Sequence, residues 1–167
     1  MSGTAVELDA FLAARSTALL RTAYALTGDW HRAEDLLQTA LVSCYGRWSR
    51  IEDPEAYLRR TMVRAYLGWR RRRWVGELPT ARVGEGRPDP GEHTAIELRG
   101  SVLAALATLP QRQRAVVVLR YYLDLSEAET AGTLGISVGT VKSQSSKGLA
   151  KLRDSAPIAA LLEEERR

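Results

Sequence analysis

Ser126-Glu-Ala-Glu-Thr-Ala131-Gly-Thr-Leu-Gly135-Ile-Ser137-Val-Gly-Thr-Val141 is the stretch on which the fold turns. Ser126 with Glu129 three residues later is a capping-box pattern: the hydroxyl and the carboxylate can satisfy each other's exposed amides where a short helix starts. Gly135 suits the left-handed position that ends a helix, and Ser137 is a fitting N-cap for another running to about Asp154. Two helices joined by a turn of three or four residues around a glycine make a helix-turn-helix. Ala131 is small enough to let the helices approach, and Ile136 and Val141 would close a small core between them.

That arrangement leaves Thr140, Lys142, Ser143, Gln144, Ser146 and Lys147 outside. Short polar and basic side chains on one exposed helix suit a major groove, where they meet phosphates and base edges. A helical hairpin that touches no DNA would bury the same positions. Upstream, a helix is expected over Ile96 to Leu109, with a restart at Pro110.

Further toward the N-terminus, Val75 to Gly91 holds Gly76, Pro79, Gly84, Gly86, Pro88, Pro90 and Gly91, too many breakers for a helix or a core. Charge divides at the same place: +4 over residues 1–74, −3 over 75–97 and +3 over 98–167, within a chain total of +4. The expected organisation is therefore two basic modules, 1–74 and 98–167, joined by an acidic linker, 75–97. Such a linker spans about 75 Å extended and roughly 25 Å as a flexible coil.

The first module reads as helical throughout. Leu8, Leu12, Leu19, Leu20, Ala23 and Leu26 recur at helical spacing up to Gly28; Asp29 then caps a helix with Ala33, Leu36, Leu37, Ala40, Leu41 and Cys44 on one face. Asp53-Pro54-Glu55 combines an N-cap acid, a proline at the first helical position and an acid in the first turn. The helix it starts carries Arg59, Arg60, Arg64 and Arg70-Arg71-Arg72-Arg73 among Tyr57, Tyr66, Trp69 and Trp74. Cations attract phosphates and rings stack on unpaired bases, so the pattern suits single-stranded nucleic acid, although an arginine run is also an ordinary solvated helix end.

Composition narrows the rest. The 167 residues are 45% hydrophobic and 7% aromatic, which favours small helical cores: the expected fold class is all-α, with two small helical domains. One cysteine allows no internal disulfide, and His31 and His93 do not build a zinc site, so no metal or cofactor is implied. No phosphate loop or catalytic triad spacing appears, and an enzyme is not expected. Neither a secretory leader nor a membrane-spanning run is evident, which points to the cytoplasm.

Together these residues resemble the extracytoplasmic-function (ECF) sigma factors of bacterial RNA polymerase, in the sigma-70 family, and most closely their actinobacterial sigma-E-like branch. Asp29 through Gln38 resembles region 2.2, Tyr57 to Trp74 regions 2.3 and 2.4, and Leu109 to Arg153 region 4, where Val138-Gly-Thr-Val-Lys-Ser143 followed by Gly148-Leu-Ala-Lys-Leu-Arg153 is the most specific piece. The resemblance implies promoter-specific transcription initiation. Glu34, Asp35, Leu37 and Gln38 would bind the clamp helices of the polymerase largest subunit, with the flap of the second-largest subunit as a further partner. Trp48, Arg50, Tyr57, Arg60, Thr61, Arg64, Trp69, Arg70 and Arg71 would capture the opened strand of the -10 element. Arg112, Arg114, Ser137, Thr140, Lys142, Ser143, Gln144, Ser146 and Lys147 would meet the -35 duplex.

The family also implies a monomer when free, association with the nucleoid when active, and regulation by an anti-sigma protein in many members. Thr39 stands where many relatives have an acid, and Gln144 with Ser145 and Ser146 replaces more usual recognition-helix residues. The competing reading is a dimeric helix-turn-helix regulator acting on a palindrome without polymerase; such regulators usually carry an α/β module at the N-terminus instead of helices. A single-strand RNA-binding adaptor using the arginine-rich helix alone would leave the helix-turn-helix unexplained.

Overall fold

The computed structural model describes residues 2–73 and 93–158. Within them lie α1 (Ser2–Thr27), α2 (Trp30–Tyr45), a 3-10 turn (Trp48–Arg50), α3 (Pro54–Arg73), α4 (His93–Ala107), α5 (Gln111–Val117), a π turn (Val118–Tyr122), α6 (Glu127–Leu134) and α7 (Val138–Asp154), and no strand. The all-α architecture is the one expected. The chain divides into two compact units, Met1–Val83 and Gly84–Arg167. Residues 75–92 of the expected linker lie outside the described residues, whereas 93–97 already belong to α4.

In the first unit α1 stops where Gly28 takes the left-handed conformation, φ 70°, its N–H donating to the Tyr24 carbonyl at 2.7 Å. Asp29 follows with φ −143° and accepts the Arg32 N–H at 2.9 Å, so the chain turns and restarts within two residues. The spacing of α2 buries Ala33, Leu36, Leu37, Ala40 and Cys44 against Leu19, Ala23 and Leu26 of α1 and Leu58, Met62 and Val63 of α3. Asp53 accepts the Ala56 N–H at 3.0 Å and so starts α3. Glu55 then reaches Arg15 of α1 at 3.2 Å and Arg59 on its own helix. Each fully buried leucine is worth about 1.5–3 kcal/mol, so the apolar seam holds the three helices, and the ion pairs of the largely buried Glu55 side chain link α1 to α3 beside it.

In the second unit the capping box forms as the pattern requires. Ser126 Oγ accepts the Glu129 N–H at 3.1 Å, and Glu129 Oε2 accepts the Ser126 N–H at 2.7 Å. Gly135 ends α6 at φ 67°, and Ser137 Oγ accepts the Thr140 N–H at 3.1 Å to start α7. Val116, Ala131 and Val141 form the core of the helix pair, with Leu134 and Ile136 packed on it. α5 and α7 touch where Gly148 has no side chain: a Cβ there would lie 2.8 Å from Val117 Cγ2.

One element has no sequence signal. α5 widens into the π turn, which adds a residue to the helical circuit and leaves the neighbours Tyr121 and Tyr122 both exposed. Arg120 donates to the Leu125 carbonyl across the loop, which contains Asp124 at φ 55°.

Candidate nucleic-acid interface

α7 presents two faces. Val141, Ser145 and Gly148 point inward, while Lys142, Ser143, Ser146 and Lys147 are exposed and Thr140 and Gln144 half-buried. Ser137 and Thr140 share a hydroxyl hydrogen bond of 2.9 Å, and Ser143 Oγ donates to the Thr140 carbonyl at 3.1 Å. These hydroxyls are thus occupied within the helix, leaving the two lysines and Gln144 as the long polar reach of the face. Lys142 Nζ lies 3.8 Å from Glu127 Oε2 of α6.

Arg112 is exposed, but Arg114 is buried in the row Arg114, Ala115, Val116 and Val117. The expectation that Arg114 meets the DNA backbone is therefore corrected. It stands one helical turn before buried Val118, on the inward side of α5, and only Arg112 of the two faces solvent.

In the first unit the loop before α3 and the start of that helix enclose a groove of about 590 Å³, lined by Arg47, Arg50, Ile51, Glu52, Asp53, Ala56, Tyr57 and Arg60. Arg50, Tyr57 and Arg60 thus line one groove together. Arg47 joins them, unmarked in sequence because it precedes the helix whose pattern drew attention. Arg64 is exposed one turn beyond Arg60; Thr61 is half-buried, its hydroxyl donating to the Tyr57 carbonyl at 2.8 Å.

Trp48 is a second correction. Its indole is buried, packed edge to face on Phe11 with centroids 5.1 Å apart, so it anchors the loop and offers no ring to a base. Tyr66 is also core. Trp69 is half-buried, with the Arg32 guanidinium 5.8 Å from its ring centre. Arg70 and Arg71 extend α3, and their side chains lie outside the described residues.

On α2, Glu34, Asp35 and Gln38 are exposed, while Leu37 is buried with Leu36. Leu37 is therefore corrected from a partner contact to a core residue, because it falls on the inward side of the helical repeat. The exposed face instead continues through Val42 and Tyr45, 75% and 68% exposed. A sequence pattern alone cannot mark these two, since apolar residues at the edge of a helix stripe read as core.

Among the described residues, two ionisable groups depart from ordinary behaviour. Burial pushes the Cys44 thiol up, against a smaller opposing backbone hydrogen bond, which fits an inert core thiol. The backbone N–H and hydroxyl of Ser126 hold the Glu129 carboxyl below the usual glutamate value.

Three packed helices with an exposed acidic face and an arginine-lined groove make one module, and a helix-turn-helix with a basic outer face makes the other. Residues 12–75 match the family Sigma-70 region 2, and residues 99–152 match Sigma-70, region 4. The chain is 42% identical over 155 residues to the RNA polymerase sigma-E factor of Streptomyces coelicolor, covering 91% of this chain and 87% of that protein. It is 34% identical over 142 residues to the ECF RNA polymerase sigma factor SigE of Mycolicibacterium smegmatis, covering 80% and 55%. The chain belongs to the ECF sigma factors of the sigma-70 family.

The fold is shared with solved structures. The sigma factor RpoE of Bartonella quintana, crystallised with the anti-sigma factor NepR, aligns with TM-score 0.65 and 20% identity over 89% of this chain and 95% of that one. CnrH in complex with the cytosolic domain of CnrY aligns with TM-score 0.58 and 22% identity over 93% and 87%. Among the described residues no helix is long and apolar enough to cross a membrane.

Proposed function

We propose that this sigma factor works in three places at once. The exposed Glu34, Asp35 and Gln38 of α2 dock on the clamp helices of core RNA polymerase. The groove of Arg47, Arg50, Tyr57 and Arg60 captures the opened -10 strand, with Arg64 on the adjoining backbone. α7 reads the -35 duplex through Lys142, Gln144 and Lys147, with Arg112 at the flanking phosphates. It catalyses no reaction of its own, needs no cofactor, and acts in the cytoplasm as a monomer until it joins the polymerase. The acidic linker lets the two modules reach separated promoter elements.

The groove is the observation that carries this reading. A cavity of about 590 Å³ with three arginines and a tyrosine on its wall offers cations for phosphate and an aromatic edge for an unstacked base. The acids Glu52 and Asp53 in the same wall supply hydrogen-bond acceptors, which can discriminate among bases.

Reconstitution with core polymerase and a promoter template tests it. The complex should initiate from one start site; Arg60→Ala with Arg64→Ala should reduce permanganate reactivity of the -10 thymines at least tenfold while duplex binding persists. Lys142→Ala should weaken duplex binding first. Footprinting of a dimer on a palindrome without polymerase would overturn the proposal in favour of the regulator. An anti-sigma protein is proposed as a further partner, detectable by co-purification of the untagged chain from its native host.

A further inference from the structure

α7 carries four cations among the described residues, Lys142, Lys147, Lys151 and Arg153, all exposed. Among these residues only Lys142 has a carboxylate within ion-pair distance, Glu127 Oε2 at 3.8 Å. Glu127 and Glu129 both stand in the first turn of α6, where negative charge favours the helix dipole. Their duties differ. Glu129 is committed to the Ser126 amide at 2.7 Å, while the carboxylate of Glu127, which takes no part in the capping box, is directed across to α7.

We infer that Glu127 is an intramolecular competitor for Lys142, which keeps the free chain's affinity for duplex DNA low. The inference rests on α7 being the duplex-reading helix. A phosphate and the Glu127 carboxylate seek the same ammonium, and the carboxylate's own charge opposes the approach of the DNA backbone. The pair is suited to exchange: its side chains are 64% and 40% exposed, and ion pairs in water are weak enough to be displaced. Because the penalty applies to any duplex, it loosens the free protein's hold on arbitrary DNA. Stable engagement then needs the added contacts made when polymerase holds the other module on the opened strand.

The test uses the full-length chain and a fluorescein-labelled duplex of random sequence, with anisotropy titrations over a range of NaCl concentrations. Glu127→Gln, a solvent-facing isostere whose folding is verified by its thermal melt, should bind about two- to fivefold tighter, the range of an exposed pair. Its log affinity against log salt should steepen by up to about 0.9, one further phosphate contact. Lys142→Gln should bind more weakly, and adding Glu127→Gln to it should give little further gain. Weakening by Lys142→Gln without any gain from Glu127→Gln would overturn the competitor role alone. So would a gain of undiminished size in the Lys142→Gln background, which would make Glu127 a general repulsive charge. If Lys142→Gln and Lys147→Gln both left binding unchanged, α7 would not be the duplex reader and both readings would fall.

Discussion

The indole of Trp48 stands edge to face on Phe11 of α1, planes at 62°, and this contact joins the loop that walls the groove to the first helix. An aromatic pair of this geometry is worth about 0.5–1.5 kcal/mol beyond its buried area. The loop therefore presents Arg47 and Arg50 from a fixed base.

Trp48→Ala should cost about 3–5 kcal/mol, a large share of the 5–15 kcal/mol of an ordinary domain, and should lower the unfolding midpoint of the first unit in urea. Arg50→Ala, at an exposed position, should shift stability by no more than about 0.5 kcal/mol yet weaken binding of a labelled single strand. Equal stability losses for the two would show that the groove wall is not anchored by Trp48.

Two glycines should respond in opposite directions. Gly148→Ala would press a methyl to 2.8 Å from Val117 Cγ2, on a buried β-branched side chain with little freedom to turn away. Overpacking of about 1–3 kcal/mol should exceed the helix-propensity gain of about 1 kcal/mol, so the second unit loses stability. Gly132→Ala meets nothing within 4 Å and should keep the propensity gain. Thermal melts of both variants decide the matter, and adding Val117→Ala to Gly148→Ala should recover part of the loss.

The capping box makes stability depend on pH in a definite sense. Glu129 has its carboxyl held below the ordinary value by Ser126, so its charged form is favoured by folding. That contribution is complete above the ordinary glutamate range and disappears as pH falls through the lowered folded value. Glu129→Gln keeps an acceptor for the Ser126 amide without the charge. Its melting temperature should lie below that of the unaltered chain at neutral pH and converge with it in acid; a gap that stays constant with pH would remove the charge from the account.

The parts of this fold that are legible in sequence are those decided by neighbours along the chain. Asp29, the Ser126–Glu129 pair, Gly135 and Ser137 act over three or four residues, and each does in the structure what its local chemistry requires. Trp48 and Arg114 are assigned to DNA only through the family resemblance, and no local pattern announces their burial, which for Trp48 comes from Phe11, far back along the chain. Leu37 differs: the helical repeat already grouped it with Leu36, while the family resemblance carried it to the outer face. The π turn that exposes Tyr121 and Tyr122 has no marker in Val118-Leu-Arg-Tyr-Tyr122, since apolar and aromatic residues fit an ordinary helix equally well.

The surface proposed to face polymerase is probed through its exposed residues. Asp35, Gln38, Val42 and Tyr45 recur at helical spacing along the outside of α2, acidic and polar at one end and apolar at the other. A partner matching this face needs a basic patch continuous with apolar side chains. Val42→Glu changes a 75% exposed side chain, so it should leave the melting temperature nearly unchanged. In the proposed complex it would desolvate a new charge without a partner, and co-elution with core polymerase should fall at least tenfold. Leu37→Ala should do the reverse, costing about 2–5 kcal/mol of stability while leaving the binding of the fraction that remains folded intact. If Val42→Glu retained full affinity for core while Asp35→Ala lost it, the contact would be confined to the first half of α2.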